Sequence, residues 1–247
     1  MNRNLLVFAA KKGGYELVEY LLSLDTPPDR VIAADKSDVA IIELVSGHGI
    51  PVTVFDSDIN NWLPAEGYRY RWLLNLWSPH ILRSQVLELA DHRLNIHPGL
   101  VPLCRGNDNA AWTLREQIPA GVSLIEMGTS VDDGAVYCQL EIPCPFPLSG
   151  KELNSRLYSA ANDLLRDRWL SIFAGEITPW PQQGKSGCHT RKETNQDRVK
   201  CTDENITVGE CLQWILAHDF SPGTTAEVVR DGKRYRVTVS IEELEQD

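Results

Sequence analysis

The sequence predicts an α/β protein with an open, mostly parallel sheet and helices on both faces, followed by a small C-terminal α+β appendage carrying a β-hairpin. Three observations predict it. Short continuous apolar runs recur through the first hundred residues, as strands buried on both faces require. Segments with apolar residues at helical spacing separate those runs. Past residue 180 two further strand-like runs meet at an Asp-Gly turn, a strong hairpin signal.

Residues 5–10 form an unbroken apolar run and read as the first strand. Lys11-Lys12-Gly13-Gly14 turns the chain, and 15–24 is helical in pattern. That turn lacks the GxGxxG spacing of a dinucleotide loop, so its glycines are read as supplying the permissive φ of a tight turn. Residues 30–34 give a second strand, 38–46 its helix and 50–55 a third strand. Residues 72–77 form a fourth strand, a helix spans about 81–90, and 93–97 is the fifth strand. Strands alternating with helices fold into a parallel, Rossmann-like sheet with right-handed crossovers, and ligands then sit outside the carboxyl ends of the strands.

Two more strands, 122–127 and 135–142, flank a loop from Gly128 to Gly134, and Pro143, Pro145 and Pro147 break the chain after them. A long amphipathic helix covers 151–173, with Leu153, Leu157, Ala160, Ala161, Leu164 and Leu165 at core spacing. Residues 180–187 read as a linker, dividing the chain into a domain over 1–180 and a subdomain over 188–247. In that subdomain 207–217 forms a helix, and 225–230 pairs with 234–239 through Asp231-Gly232.

Charge and cysteine usage narrow the function. Of 247 residues, 34 are Asp or Glu and 24 are Lys or Arg, a net charge of −10. That balance argues against nucleic acid as a partner, because phosphates demand basic surface. Hydrophobic residues make up 43%, enough for a sizeable core. The N-terminal apolar run is too short for a signal peptide, and no segment reaches the roughly 20 apolar residues of a membrane helix, so a cytoplasmic protein is expected. Cys104, Cys138, Cys144, Cys188, Cys201 and Cys211 show no CxxC and no metal spacing, which reads as reduced structural thiols and no metal.

One stretch concentrates polar groups at a strand end. In Leu94-Asn95-Ile96-His97-Pro98-Gly99, Asn95 and His97 point to one face while Leu94 and Ile96 point to the other. A satisfied core histidine beside a turn asparagine is one reading, and a site aimed into the following loop is the other. Asp132, in the glycine-bracketed loop, supports the site: a carboxylate beside an imidazole fixes its tautomer and stabilises its protonated form. Asn, His and Asp together suit acyl transfer, with the amide on a carbonyl oxygen and the His–Asp pair handling charge and proton.

Asn95-Ile96-His97-Pro98-Gly99-Leu100-Val101-Pro102, then Arg105-Gly106, Gly121-Val122-Ser123 and Val131-Asp132-Asp133-Gly134 resemble, in order and spacing, the motifs of formyltransferases that use N10-formyltetrahydrofolate. The resemblance covers about residues 4–175; Gly99 stands where Ser is usual, and Val replaces Leu at 101 and 131. It implies the formyltransferase fold, Asn95, His97 and Asp132 as catalytic residues, and N10-formyltetrahydrofolate as formyl donor with no metal. Asp133, at a position that varies in the family, is read as solvated or supporting. Trp77-Ser78-Pro79-His80-Ile81-Leu82 resembles the family segment whose backbone holds the pterin ring. Ser78, Ile81, Leu82 and Val131 are then folate contacts, with core packing as the alternative for the three apolar residues. His80 is either a capping or surface histidine or a ligand group.

Three branches of that family differ in the amine they formylate. Glycinamide ribonucleotide formyltransferases largely end with the catalytic domain, and methionyl-tRNA formyltransferases carry a C-terminal barrel suited to tRNA. Sugar N-formyltransferases act on amino sugars carried by a nucleoside diphosphate, and their tails resemble Cys188-His189-Thr190-Arg191-Lys192-Glu193 and the terminal strand pair. The resemblance therefore implies a nucleotide-linked amino sugar, most simply a dTDP-linked dideoxy sugar for cell-surface polysaccharide such as O-antigen lipopolysaccharide. Arg105, Asn107 and Trp112 are the acceptor candidates; Arg105 would pair with a phosphate or form a plain ion pair. The tail would bind acceptor or build a homodimer through the hairpin's edges. A non-catalytic folate- or nucleotide-binding module is the reading from another class.

Overall fold

The computed structural model describes residues 2–244. The chain runs β1 (Asn2–Ala9), α1 (Lys11–Leu22), β2 (Arg30–Ala33), α2 (Val39–Gly47) and β3 (Val52–Val54). It continues through α3 (Ile59–Ala65), β4 (Arg69–Leu76), α4 (Ser84–Leu87), β5 (Ala90–His97), β6 (Arg105–Gly106) and α5 (Asn109–Glu116). Then come β7 (Gly121–Glu126), β8 (Val136–Glu141), α6 (Gly150–Ala174), β9 (Cys188–His189) and α7 (Arg191–Asp197). β10 (Val199–Cys201), α8 (Val208–Ala217), β11 (Ala226–Arg230) and β12 (Lys233–Val237) complete it. Two compact units gather these, each from separate stretches of chain: Met1–His97, Ser123–Gln139 and Ala161–Gln182 in the first, the remainder in the second.

The large sheet has the order β3-β2-β1-β4-β5-β7-β8. Its first five strands are parallel and β7 is antiparallel to β5, the mostly parallel sheet that the sequence predicts. β1 is an interior strand between β2 and β4, and Leu5 through Ala9 are fully buried, hence the unbroken apolar run. On one face Leu6 and Phe8 pack with Ile32, Tyr70, Leu73 and Val86. Chain order reverses between β1 and β4, which opens a crevice at their carboxyl ends.

Two expectations near that crevice need correction. Gly13 and Gly14 are not a turn: α1 begins at Lys11 and includes both. They are needed for space, since a Cβ on Gly13 would lie 2.7 Å from the Trp77 indole and one on Gly14 would lie 2.9 Å from Leu76 O. The helix expected over 81–90 shrinks to Ser84–Leu87, and β5 starts earlier, at Ala90. Residues before Ser84 stay out of the helix because His80 is stacked on Phe55 and bonded to Ala34 O, and Arg83 is extended.

In the second unit, β11 and β12 form the expected hairpin, with both turn residues at positive φ, Asp231 at 51° and Gly232 at 72°. A third strand, β10, pairs parallel to β11, and Trp214, Ile215 and Ala226 make a core with Val228 and Val237. Helices α3, α5 and α7 and the short strands β6, β9 and β10 are additions to the expected element list. Among the described residues no helix is long and apolar enough to cross a membrane.

Candidate active site

β4 and β5 are parallel neighbours with Asn75 opposite Asn95. The side chains meet: Asn75 Nδ2 donates to Asn95 Oδ1 at 3.0 Å. His97 follows two residues later on the same face, only 3% exposed, and Pro98, which has no N–H to continue a ladder, ends the strand. Asp132 comes from the loop between β7 and β8 and touches both. Asn95 Nδ2 donates to Asp132 Oδ1 at 3.3 Å, and His97 Nδ1 lies 3.3 Å from Asp132 Oδ2. The three expected residues therefore converge at the carboxyl end of β5.

The loop is built to hold Asp132 there. Asp132 has φ +49°, a left-handed conformation that a non-glycine residue keeps only when its surroundings impose it. Gln182 imposes part of it, donating through Nε2 to Asp132 O at 2.9 Å and to Gly134 O at 2.7 Å. Gly134 must be glycine, since a Cβ would fall 1.9 Å from Glu126 O. With Nδ1 against the carboxylate, the neutral His97 ring carries its proton on Nδ1, and Nε2 is the basic nitrogen.

A cavity of about 150 Å³ adjoins the cluster, lined among others by Asn75, Asn95, Asp132, Ile81, Leu82 and Val131. His97 does not itself line it. Ile81 is 81% exposed and Val131 52% exposed, so the expected core alternative does not hold for these two, and both leave apolar surface open beside the cavity. Ser78 is buried, with its backbone N–H donating to Asn75 Oδ1 and its carbonyl accepting from Asn75 Nδ2, each at 3.2 Å. His80 also lines the cavity; its ring stacks on Phe55 at 3.7 Å between centroids, and Nε2 lies 2.9 Å from Ala34 O.

No family model matches the chain. A methionyl-tRNA formyltransferase from Roseiflexus sp. (strain RS-1) is 30% identical over 147 residues, which is 59% of this chain and 45% of that protein. The chain spans about half the length of the curated relatives it matches. Solved structures cover it more fully. A sugar N-formyltransferase from a Shewanella species superposes with a TM-score of 0.82 at 19% identity, and a 4-N formyltransferase from Francisella tularensis with 0.85 at 15%; each covers 98% of this chain and 99% of the other. An N-formyltransferase from Helicobacter canadensis, in complex with folinic acid and dTDP-3-aminofucose, gives 0.70 at 17% identity, over 87% of this chain and 80% of that one. This is the formyltransferase fold.

Within the formyltransferase fold, the acceptor candidates belong to the second unit and share one neighbour, the segment around β9. Arg105 N–H donates to Gly187 O and Asn107 N–H to His189 O, both at 2.8 Å. Trp112 stacks on His189 at 3.7 Å, and its indole N–H donates to Thr194 Oγ1 at 2.9 Å. One Trp112 face and its only side-chain donor are thus engaged by the tail, while Asn107 is exposed.

Sequence reasoning missed Asn75, Gln182 and the anchor under Trp77. Trp77 has φ +67°, and its indole N–H donates to Asn162 Oδ1 at 2.8 Å. A signal existed for Asn75 alone: it is the one polar side chain in the apolar run of β4 after Trp72.

Proposed function

We propose that this chain transfers a formyl group from N10-formyltetrahydrofolate to the primary amine of a nucleoside-diphosphate-linked amino sugar. The observation that carries the reading is the convergence of Asn95, His97 and Asp132 beside a partly apolar cavity at the strand ends. The walls fit a flat ring with polar edges: Ile81, Leu82 and Val131 offer apolar faces, and Asn95 and Asp132 offer polar groups beside them. The folate supplies the formyl group. Asn95 donates to the formyl oxygen as negative charge builds there, and a preoriented donor of this kind is worth on the order of a hundredfold in rate. His97, held by Asp132, receives the proton that the attacking amine loses, directly or through water, and as an imidazolium stabilises the same charge. The bond from the formyl carbon to N10 then breaks and tetrahydrofolate leaves with that proton.

Support for a sugar acceptor comes from the likeness over nearly the whole chain to sugar N-formyltransferases, and from the tail segment that reaches Arg105, Asn107 and Trp112. The 30% identity to a methionyl-tRNA formyltransferase favours a second reading, against which the net charge of −10 weighs. The sugar reading places the reaction in the cytoplasm, in a homodimer, and a dTDP-linked dideoxy sugar is its simplest substrate. Supplying N10-formyltetrahydrofolate with nucleotide amino sugars, free amino sugars, glycinamide ribonucleotide and methionyl-tRNA, and following tetrahydrofolate release, tests it. Turnover with the nucleotide sugars is expected, and far slower turnover with the free sugar, whose missing nucleotide no longer positions the amine. Turnover confined to the ribonucleotide or the charged tRNA overturns the sugar reading.

A further inference from the structure

We infer that Asn75 is a positioning residue: it orients the Asn95 amide so that Nδ2, not Oδ1, is presented on the Asp132 side of the site. The inference rests on the formyl-transfer reading for its consequence, although the orientation follows from bond polarity alone. The backbone N–H of Ser78 can only donate, so the Asn75 atom that meets it is Oδ1. Asn75 Nδ2 then holds two protons, one for Ser78 O and one for Asn95. The Asn95 atom that receives the second is an acceptor, Oδ1, and its Nδ2 turns toward Asp132. The other end of the relay agrees, because a carboxylate only accepts. Reversing the Asn95 amide would set donor against donor at Asn75 and acceptor against acceptor at Asp132.

Two consequences follow. Asn75 ties Asn95 to the turn at Ser78, so the segment leading to Ile81 and Leu82 and the oxyanion donor share one anchor. Both amide protons and the carbonyl oxygen of the Asn75 side chain are engaged in this relay.

Asn75→Asp tests it, because the substitution keeps the shape and the acceptor for Ser78 N–H but replaces the donor to Asn95 and to Ser78 O with an acceptor. The Asn95 amide then lies between two carboxylates and loses its single preferred orientation. We expect kcat to fall about a hundredfold, as for loss of an oxyanion donor, while the lost bond to Ser78 O is read separately, in the KM for the folate. In an Asn95→Ala background the same substitution is expected to change kcat by less than about twofold, since it acts through Asn95. The ratio of variant to wild-type activity should rise as the pH falls, because a protonated carboxyl donates again. Wild-type kcat in the folded variant, or the full loss repeated in the Asn95→Ala background, overturns the inference.

Asn75→Ala, which removes the donor to Asn95 altogether, serves the same cycle if Asn75→Asp does not fold, and the same two outcomes overturn the inference there. If the wild-type protein shows no formyl transfer, the enzymatic reading fails instead. The side-chain amide resonance of Asn95 then tests the orientation alone: it should move on Asn75→Asp and stay in place on Asn61→Asp. An unmoved resonance overturns the inference.

Discussion

Among the described residues, two Asp–His pairs keep different company. In the first unit His97 Nδ1 lies 3.3 Å from Asp132, and in the second His218 Nε2 lies 2.7 Å from Asp197. Burial does not separate them, since the two carboxylate side chains are 15% and 18% exposed. Their other partners do. Asp132 is met by the neutral amide of Asn95, whereas Asp197 is met by the Arg115 guanidinium in a bidentate pair at 2.6 and 3.0 Å. Burial pushes the Asp197 carboxyl up, but the hydrogen bonds from His218 and Arg115 outweigh it and hold the group well below the usual carboxylate range. Asp197 therefore acts as a fastener, joining α5, α7 and α8 with help from its backbone carbonyl, which accepts from the Trp214 indole at 2.7 Å. Asp132 sits at φ +49° beside a cavity, where in the proposed reaction its charge stabilises an imidazolium.

The same isosteric substitution should separate the two roles. Asp132→Asn is expected to lower kcat by about a hundredfold or more, because the amide no longer holds His97 in the required tautomer. Stability should change by less than about 1 kcal/mol, since asparagine tolerates φ +49° well. His97→Ala should lose turnover similarly. Steady-state rates with denaturant melts check both, and a folded His97→Ala protein with near-normal turnover would break the comparison.

Asp197→Asn should do the reverse, costing about 2 kcal/mol of stability while kcat stays within about twofold. Breaking a buried pair costs more than this, and the partial exposure of Arg115 and Asp197 lowers the figure. Acid sharpens the test. The folded carboxyl ionises below its ordinary value of 3.8, so the unfolded chain binds the proton first and this contribution is lost as the pH falls through and below that value. Urea melts should show a wild-type advantage over Asp197→Asn that is full above about pH 5 and shrinks steadily in stronger acid. An advantage independent of pH would assign the stability to packing instead.

What was legible follows the same division between regular and particular physics. The central strands declared themselves because burial on both faces forces unbroken apolar runs such as 5–9. Asn95 and His97 were legible from strand alternation, and Asp132 from its place between two glycines. α3 was not, because its buried contacts reduce to Ile59 and Leu63 among polar neighbours and Pro64. α7 is polar nearly throughout, and its one sequence mark was the capping box Thr190-Arg191-Lys192-Glu193, which the structure forms in full. α4 failed for a tertiary reason: an apolar spacing fit for a helix was overridden by the anchoring of His80. Gln182 reaches back some fifty residues to the Asp132 loop, a pairing with no local pattern to betray it.

His80 adds a third histidine to the comparison and the smallest expected effect. A ring face and a backbone carbonyl hold it, Phe55 on one side and Ala34 O at Nε2. Its place in the cavity wall beside Ile81 and Leu82 makes it an anchor for the segment proposed to hold the folate. His80→Phe keeps an aromatic ring for Phe55 but loses the bond to Ala34, a neutral hydrogen bond worth about 1 kcal/mol. That corresponds to an increase of about fivefold in the KM for the formyl donor, with kcat within about twofold. A kcat loss with unchanged KM would move His80 into the chemistry beside His97. An unchanged KM and kcat together would show that Phe55 stacking alone holds the segment, and Phe55→Leu would then carry the fivefold effect.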